Sequence, residues 1–474
     1  MRLRDFPCFS DLFVDFVENV PGVAPFLERL PSLDSVMAAA SLAQSSDVPR
    51  QQVLQILEPR LSEFGHGNAA ARNIRRLAQP ETVVVLVSCP DSFAGGPLFQ
   101  FLKFLTAAKL AAELESNGIG AVPVCWIEPG TAPSADSPYL LDSDGQLRPL
   151  GPELQARDPL GTIENPLAGL ASLFGPSVQP ESMEFLTQCY TPGVDPTLAA
   201  GQFMAGTMQD WGFLILDGRD KELHNLVGRV SGLDRVDPAE RSALLRDQAT
   251  LLRASKYGER NVHLPSRSIT SMLLESLFPV AARVVDQREV QDIALIPALL
   301  SRLGFQKPRL WPRASATILD TRSSKILQKY GIEFLELFRG PDEVLRRLAY
   351  DDMAEAGKRG MDQLTSRIGT GLSELHSSVP PGDPMAALVE DARKRMEYQV
   401  AKLRELFTRA SNSRREDANR QVRRVCDRLA PRACPQELLL AGLNFIMRYS
   451  PVVLRILFHE LEVRSNEHQL INVE

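Results

Sequence analysis

The chain has 474 residues, of which 44% are apolar, 7% aromatic and 24% charged, and its 53 basic and 59 acidic side chains give a formal net charge of -6. This is the composition of an ordinary globular protein long enough for two or three structural units with real cores, which excludes a mini-protein or a disordered tail. The longest apolar runs fall well short of the ~20 residues of a membrane span. Asp11, Asp15 and Glu18 interrupt any leader-like stretch near the start, so a cytoplasmic protein without a membrane partner is expected.

Residues 1–80 carry short amphipathic runs broken at Pro21-Gly22, Pro31-Ser32 and Gly65-His66-Gly67-Asn68, which predicts an N-terminal helical collar. Thr82-Val83-Val84-Val85-Leu86-Val87 is an apolar run without alternation, the pattern of a strand buried on both faces of a parallel sheet. After a loop of small residues, Pro97 opens a helix that runs to about Asn117, and Val122 to Ile127 supplies a second strand, completing a βαβ unit. Residues 128–202 are rich in proline, glycine and serine and are expected to be connecting segments inserted in the core. Gly212 to Asp217 is a further buried strand, ending in an aspartate where open α/β sheets bind ligands. An apolar helix over about Ile269 to Val285, a helix near Glu289 to Leu303 and a strand over Ala314 to Leu319 are expected to complete the sheet.

The last third has a different period. Met361, Leu364, Ile368, Leu372 and Leu375 keep one apolar face, and Pro380-Pro381-Gly382-Asp383-Pro384 stops it. A second run passes through Val389, Ala392, Met396, Gln399, Leu403, Leu406 and Ala410, then resumes in shifted phase at Ala418, Val422, Val425 and Leu429. Alternating spacings of three and four predict a coiled-coil seam, and the turn folds it into an antiparallel hairpin over residues 341–432, with a stutter at Ser411-Asn412-Ser413. The expected division is therefore a Rossmann-like α/β core over 81–340, the hairpin, and a segment 433–474 that packs back on the core. Between Glu390 and Arg432 there are 13 basic and 7 acidic residues, an excess that a solvated coiled-coil face explains better than nucleic-acid binding.

The chemistry-bearing segment is Ser88-Cys89-Pro90-Asp91-Ser92-Phe93-Ala94-Gly95-Gly96-Pro97, between the first strand and its helix. Glycines here admit close backbone approach, and a helix N-terminus offers free N–H groups to an anion, so Ser88, Gly95 and Gly96 are candidate binding residues. The segment matches neither Gly-x-Gly-x-x-Gly nor the phosphate loop ending in Gly-Lys-Ser/Thr. In the helix that follows, Gln100, Lys103, Thr106 and Lys109 make one narrow polar side; Lys103 either reaches an anion at the loop or snorkels to solvent. Arg313 is a second candidate anion contact, its alternative being a surface ion pair. The histidines lack metal-ligand spacing and no Gly-x-Ser-x-Gly elbow is present, so no metal is expected. Cys8, Cys89, Cys125, Cys189, Cys426 and Cys434 contain no Cys-x-x-Cys pair and are expected to be buried or incidental thiols rather than a disulfide framework.

These segments, in their order, resemble the BshC family of bacillithiol biosynthesis. The resemblance is carried by Gly96-Pro97-Leu98 with Lys103 and Ala107-Ala108-Lys109-Leu110-Ala111, by Val122-Pro123-Val124 with Trp126-Ile127, by Arg309 to Leu319 and Lys329-Tyr330-Gly331, and by Gln436-Glu437, Leu443-Asn444 and Arg448-Tyr449-Ser450-Pro451. It implies a Rossmann-like core, a coiled-coil domain that mediates homodimerisation, a nucleotide such as ATP or ADP, and the joining of cysteine to the amino sugar glucosaminyl-malate. Three family motifs are altered: Gly-Gln-Gln is Ser88-Cys89-Pro90, the Glu-Asp-His-Asp cluster is Gly130-Thr131-Ala132-Pro133, and Gly-Pro-Gly-Glu is Val285-Asp286-Gln287-Arg288. A cysteine-adding ligase with changed residues, with Asp217 as the next candidate base, therefore stands beside an inactive relative that binds a partner through its coiled coil, and beside a general binding protein for a phosphorylated small molecule.

Overall fold

A computed structural model describes the whole chain except residues 45–47, 61, 66, 130–137, 151–166, 259–268, 352–354, 381–382, 413–415 and 474. Its described strands are β1 (Val83–Pro90), β2 (Ala121–Glu128), β3 (Tyr139–Leu141), β4 (Leu147–Pro149), β5 (Leu214–Asp217), β6 (Val280–Val285), β7 (Leu310–Pro312), β8 (Ser315–Asp320) and β9 (His468–Val473). Five of them form one parallel sheet in the order β5-β2-β1-β6-β7. Numbered along the chain that order is 3-2-1-4-5, the doubly wound arrangement, and the direction of winding reverses between β1 and β6.

The unbroken apolar run of β1 is explained by burial on both sides. Val83, Val85 and Val87 join the core cluster that contains the helix Leu98–Ser116, while Val84 and Leu86 join the cluster built with the helices Arg50–Leu57, Asn68–Leu77 and Lys221–Ser231. Successive side chains point to opposite faces, so a strand covered on both needs apolar residues throughout. β2 divides in the same way, Cys125 and Ile127 on the first face and Val124 and Trp126 on the second.

Three expectations are corrected. The helix expected across Ile269 to Val285 ends at Met272, and residues 280–285 are instead β6. Phe278-Pro279 stops the helical run, since the residue before proline disfavours helical backbone, and the β-branched Val280 and Val284 then pair with β1 while Val285 pairs with Pro312 of β7. The helix expected near Glu289 to Leu303 is two, Gln287–Ile293 and Pro297–Leu303, again parted by proline. The strand at Ala314 to Leu319 exists as β8 but pairs with β9 in a separate two-stranded sheet, and the edge of the main sheet is β7. The inserted segment contains the β3–β4 hairpin and the helices Pro180–Cys189 and Pro196–Thr207, while the altered Gly130 to Pro133 motif lies outside the described residues.

The cysteine expectation also changes. Cys8 and Cys434 are joined by a disulfide with Cα atoms 5.9 Å apart, whereas Cys89, Cys125, Cys189 and Cys426 are buried free thiols. A partner 426 positions away leaves no spacing signal.

The chain divides into two compact units, residues 1–319 with 434–474, and residues 320–433. The second unit contains the helices Thr321–Tyr330, Pro341–Asp351, Glu355–Ser378, Met385–Asn412 and Glu416–Leu429. Its core is Leu337, Val344, Leu345, Val422, Val425 and Leu429, and Arg423 pairs with Asp342 at 2.6 Å. Leu372 and Val389 are buried where the two long helices meet, but Leu375, Met385, Leu388, Met396 and Tyr398 are exposed.

Candidate functional site

In a doubly wound sheet the ligand crevice lies at the carboxyl ends of the strands where the winding reverses, here between β1 and β6. Ser88 near the end of β1 and Asp286 just beyond β6 occupy that position, together with Lys103 and Glu289. The Lys103 ammonium, fully buried, donates to the Ser88 carbonyl at 2.5 Å, lies 3.2 Å from Asp286 Oδ2 and contacts Glu289 Oε2. Ser88 Oγ donates to Glu289 Oε1. Asp286 and Glu289 form the capping box of the helix Gln287–Ile293, with Asp286 accepting from the Arg288 and Glu289 amides and Glu289 accepting from the Asp286 amide at 3.0 Å. Lys103 therefore neither snorkels nor faces an external anion; it meets two internal carboxyl groups.

The glycine loop is likewise engaged from within. Gly95 and Gly96 have φ of +77° and +71°, and a Cβ on Gly95 would stand 2.6 Å from the Phe101 ring. Their amides donate to the Ser92 and Phe93 carbonyls, and the first helical amide, Leu98, donates to the Leu440 carbonyl at 2.8 Å. Segment 440–442 thus covers the helix N-terminus expected to hold an anion.

Arg313 is nearly fully buried and belongs to a second cluster. Its guanidinium pairs with Glu437 at 2.9 Å and lies 5.1 Å from the Phe99 ring centroid. Glu437 also accepts from Ser315 Oγ at 2.7 Å and the Ala316 amide at 2.9 Å. His468 on β9 bonds through Nδ1 to Ser315 and through Nε2 to Thr317 on β8. Burial is the main reason its pKa falls to about 4; Glu437 opposes the shift and Arg313 adds to it. This imidazole is neutral at pH 7. Gln436 clamps the backbone of Ile318 through both ends of its amide.

The accessible polar groups lie at the carboxyl ends of β1 and β5. Asp217, half-buried, is held by Arg219, whose Nη2 is 2.6 Å from Oδ2, and Arg219 also pairs with Asp195 at 2.5 Å. Asp195 caps the helix Pro196–Thr207, and Thr197 in its first turn donates to Asp91 at 3.1 Å. The bond to Asp217 leads the causes that raise the pKa of Arg219.

The structure thus brings Ser88 and Lys103 together and leaves Asp217 and Arg313 in separate clusters. The residues that sequence patterns leave out are Asp286, Glu289, Glu437 and His468. Asp286-x-x-Glu289 before an apolar turn carries a capping-box signal, but the other two meet β8 only through distant pairing. Among the described residues no group of three or more His, Cys, Asp or Glu side chains is disposed to hold a metal, and no helix is long and apolar enough to cross a membrane. A groove of about 650 Å³ lined by Val178, Pro180, Met183 and Glu184 includes none of the candidate residues.

Comparison with known proteins matches residues 2–130 to the domain described as "Bacillithiol biosynthesis BshC, N-terminal Rossmann-like domain" and residues 316–473 to "Bacillithiol biosynthesis BshC, C-terminal coiled-coil domain". The chain is 23% identical to a protein of Solibacter usitatus, over 100% of this chain and 99% of the relative. It is 22% identical to one of Salinibacter ruber, over 98% and 96%, and 24% identical to one of Koribacter versatilis, over 94% of each. All three relatives bear the name "Putative cysteine ligase BshC".

Proposed function

Because the chain belongs to the BshC family, we propose that it is a cysteine ligase that joins cysteine to glucosaminyl-malate in bacillithiol biosynthesis, working in the cytoplasm. The observation that carries this reading is end-to-end similarity to proteins named for that activity, on a sheet wound in the order that builds a ligand crevice. The half-exposed rim of Asp91, Asp195, Asp217 and Arg219 suits such substrates: carboxylates can take the amine of cysteine or of the amino sugar, and Arg219, now shared between Asp217 and Asp195, supplies the positive charge that a malate carboxylate needs nearby. Ser88 and Lys103 at the β1–β6 reversal, with the Gly95-Gly96 turn, then support the scaffold rather than touch substrate, Arg313 belongs to its own cluster with Glu437, and ATP or ADP is the candidate nucleotide.

A second reading has its own observation. The crevice at β1 and β6 is filled by an internal ion cluster, and the helix N-terminus beside it is covered, which favours a family member that keeps the fold without the reaction and acts as a homodimer through its helical unit. Incubating the purified protein with cysteine, glucosaminyl-malate and ATP and looking for the condensed thiol by mass spectrometry separates the two. Product that disappears in Asp217→Asn and Arg219→Ala, with unchanged circular dichroism, supports the ligase. Its absence beside an active homologue as control leaves the second reading, for which light scattering should give twice the chain mass.

A further inference from the structure

Two of the six cysteines differ in kind from the rest. Cys89, Cys125, Cys189 and Cys426 are buried, and burial pushes the Cys189 and Cys426 thiols up to about 12 and that of Cys125 well above its usual range. Such thiols present almost no thiolate near neutral pH. Cys8 and Cys434 are bonded to each other, and Cys8 is exposed while Cys434 is half-buried. Of the two bonded residues, Cys8 is therefore the one that a thiolate from solution meets first.

The bond also lies where several segments converge. Two residues after Cys8, the Ser10 amide donates to Gln287 Oε1 at 3.0 Å, and Gln287 is the first residue of the helix capped by Asp286. Phe6 lies 4.6 Å from the His468 ring, between centroids. Shortly after Cys434 come Gln436 and Glu437, which hold β8 and Arg313. The disulfide thus fastens the N-terminal segment to the chain that supplies the second buried cluster.

We propose that Cys8–Cys434 is a thiol–disulfide exchange site for low-molecular-weight thiols, cysteine among them. The exchange stands on the placement of the bond; only its tie to cysteine metabolism rests on the ligase reading. A small thiolate attacks the Cys8 sulfur, forms a mixed disulfide there and releases Cys434 as a thiolate, which takes up a proton. A second small thiolate attacks the small thiol's sulfur in that mixed disulfide, releasing the Cys8 thiolate, which is protonated, and the small disulfide. The protein gains two electrons and two protons, and two small thiols become one disulfide. In a reducing compartment a disulfide of this kind is a sensing element rather than a permanent staple.

The test uses the full-length protein equilibrated with mixtures of cysteine and cystine, quenched with an alkylating agent and mapped by peptide mass spectrometry. The expected result is a Cys8–Cys434 cross-link in excess cystine, a cysteinyl adduct on Cys8 at intermediate ratios, and both residues alkylated in excess cysteine. The four buried cysteines should stay unmodified at every ratio. In Cys434→Ser, cystine should leave a stable stoichiometric adduct on Cys8. A cross-link that survives excess cysteine and dithiothreitol in the native protein would overturn the proposal, as would two cysteines that never link in excess cystine. Neither the amino sugar nor ATP is present, so a chain that makes no ligase product can still pass this test, and an active ligase can fail it.

Discussion

Two buried polar clusters flank one helix, Leu98–Ser116, and they are built on different principles. Lys103 serves the first, where one ammonium answers two carboxyl groups from a single capping box. One turn on, Thr106 accepts from the Ala314 amide beside the second, in which a single Arg313–Glu437 pair is extended by Ser315, Thr317 and a neutral His468. The first cluster depends on charge, since a buried ion without its partner is costly. The second also holds a buried ion pair, but extends it through neutral hydrogen bonds of His468 to Ser315 and Thr317, and its distinctive weak point is a proton on His468.

The largest expected effect is at Lys103. Lys103→Ala leaves Asp286 and Glu289 facing each other in a dry interior and should lower stability to urea by about 4 kcal/mol, whereas adding Asp286→Ala and Glu289→Leu should recover a large part of it. A loss below about 1 kcal/mol would mean that the first cluster is hydrated, and the contrast between the two would collapse.

The second effect is a pH dependence confined to the other cluster. His468 has a folded pKa of about 4 against 6.5 for the free side chain, so between these values the unfolded chain binds the proton and the folded chain does not. Stability contributed by the neutral imidazole is complete above pH 6.5 and declines as the pH falls toward 4, by about 3 kcal/mol. Urea midpoints measured across that range for the native chain and for His468→Gln should converge as the solution becomes acid. A gap that stays constant with pH would remove the titration from the account.

The smallest effect belongs to the accessible rim. Asp217→Asn breaks an ion pair with the partly exposed Arg219 and should cost less than about 1 kcal/mol in thermal or urea unfolding, falling further with added salt. A cost near that of Lys103→Ala would place Asp217 among the buried supports instead of at an accessible surface.

Strands covered on both faces were legible because their composition is uniform: Val83 to Val87 and Val122 to Ile127 carry the pattern without any tertiary knowledge. The polar side of the helix, Gln100, Lys103, Thr106 and Lys109, was legible as a stripe but not as to what it meets. Lys109, for example, donates to the carbonyls of His459 and Leu461 at 3.0 and 2.5 Å, about 350 residues away. Residues 280–285 escaped because Val280-Ala281-Ala282 fits a helix as well as a strand until β1 supplies hydrogen bonds. Glu437, His468 and the partner of Cys8 escaped for a common reason: each depends on the C-terminal segment returning to β8 or to the N-terminal segment, and nothing local records that return. In the 341–432 region, spacing found the helices but not how much of their apolar face stays open, as at Leu388 and Tyr398.

The clamp between Gln436 and Ile318 has a consequence for how the molecule can be taken apart. The Ile318 amide donates to Gln436 Oε1 at 2.8 Å and Gln436 Nε2 donates back to the Ile318 carbonyl at 3.1 Å, so the two points where the chain leaves and rejoins the sheet-bearing unit are neighbours. The intervening 320–433 stretch is topologically a removable cassette: a turn of a few glycine and serine residues spans the gap, at a loop-closure entropy that grows only slowly with length. The same adjacency makes this position a natural port for grafting a foreign domain, with no strand of the parallel sheet interrupted.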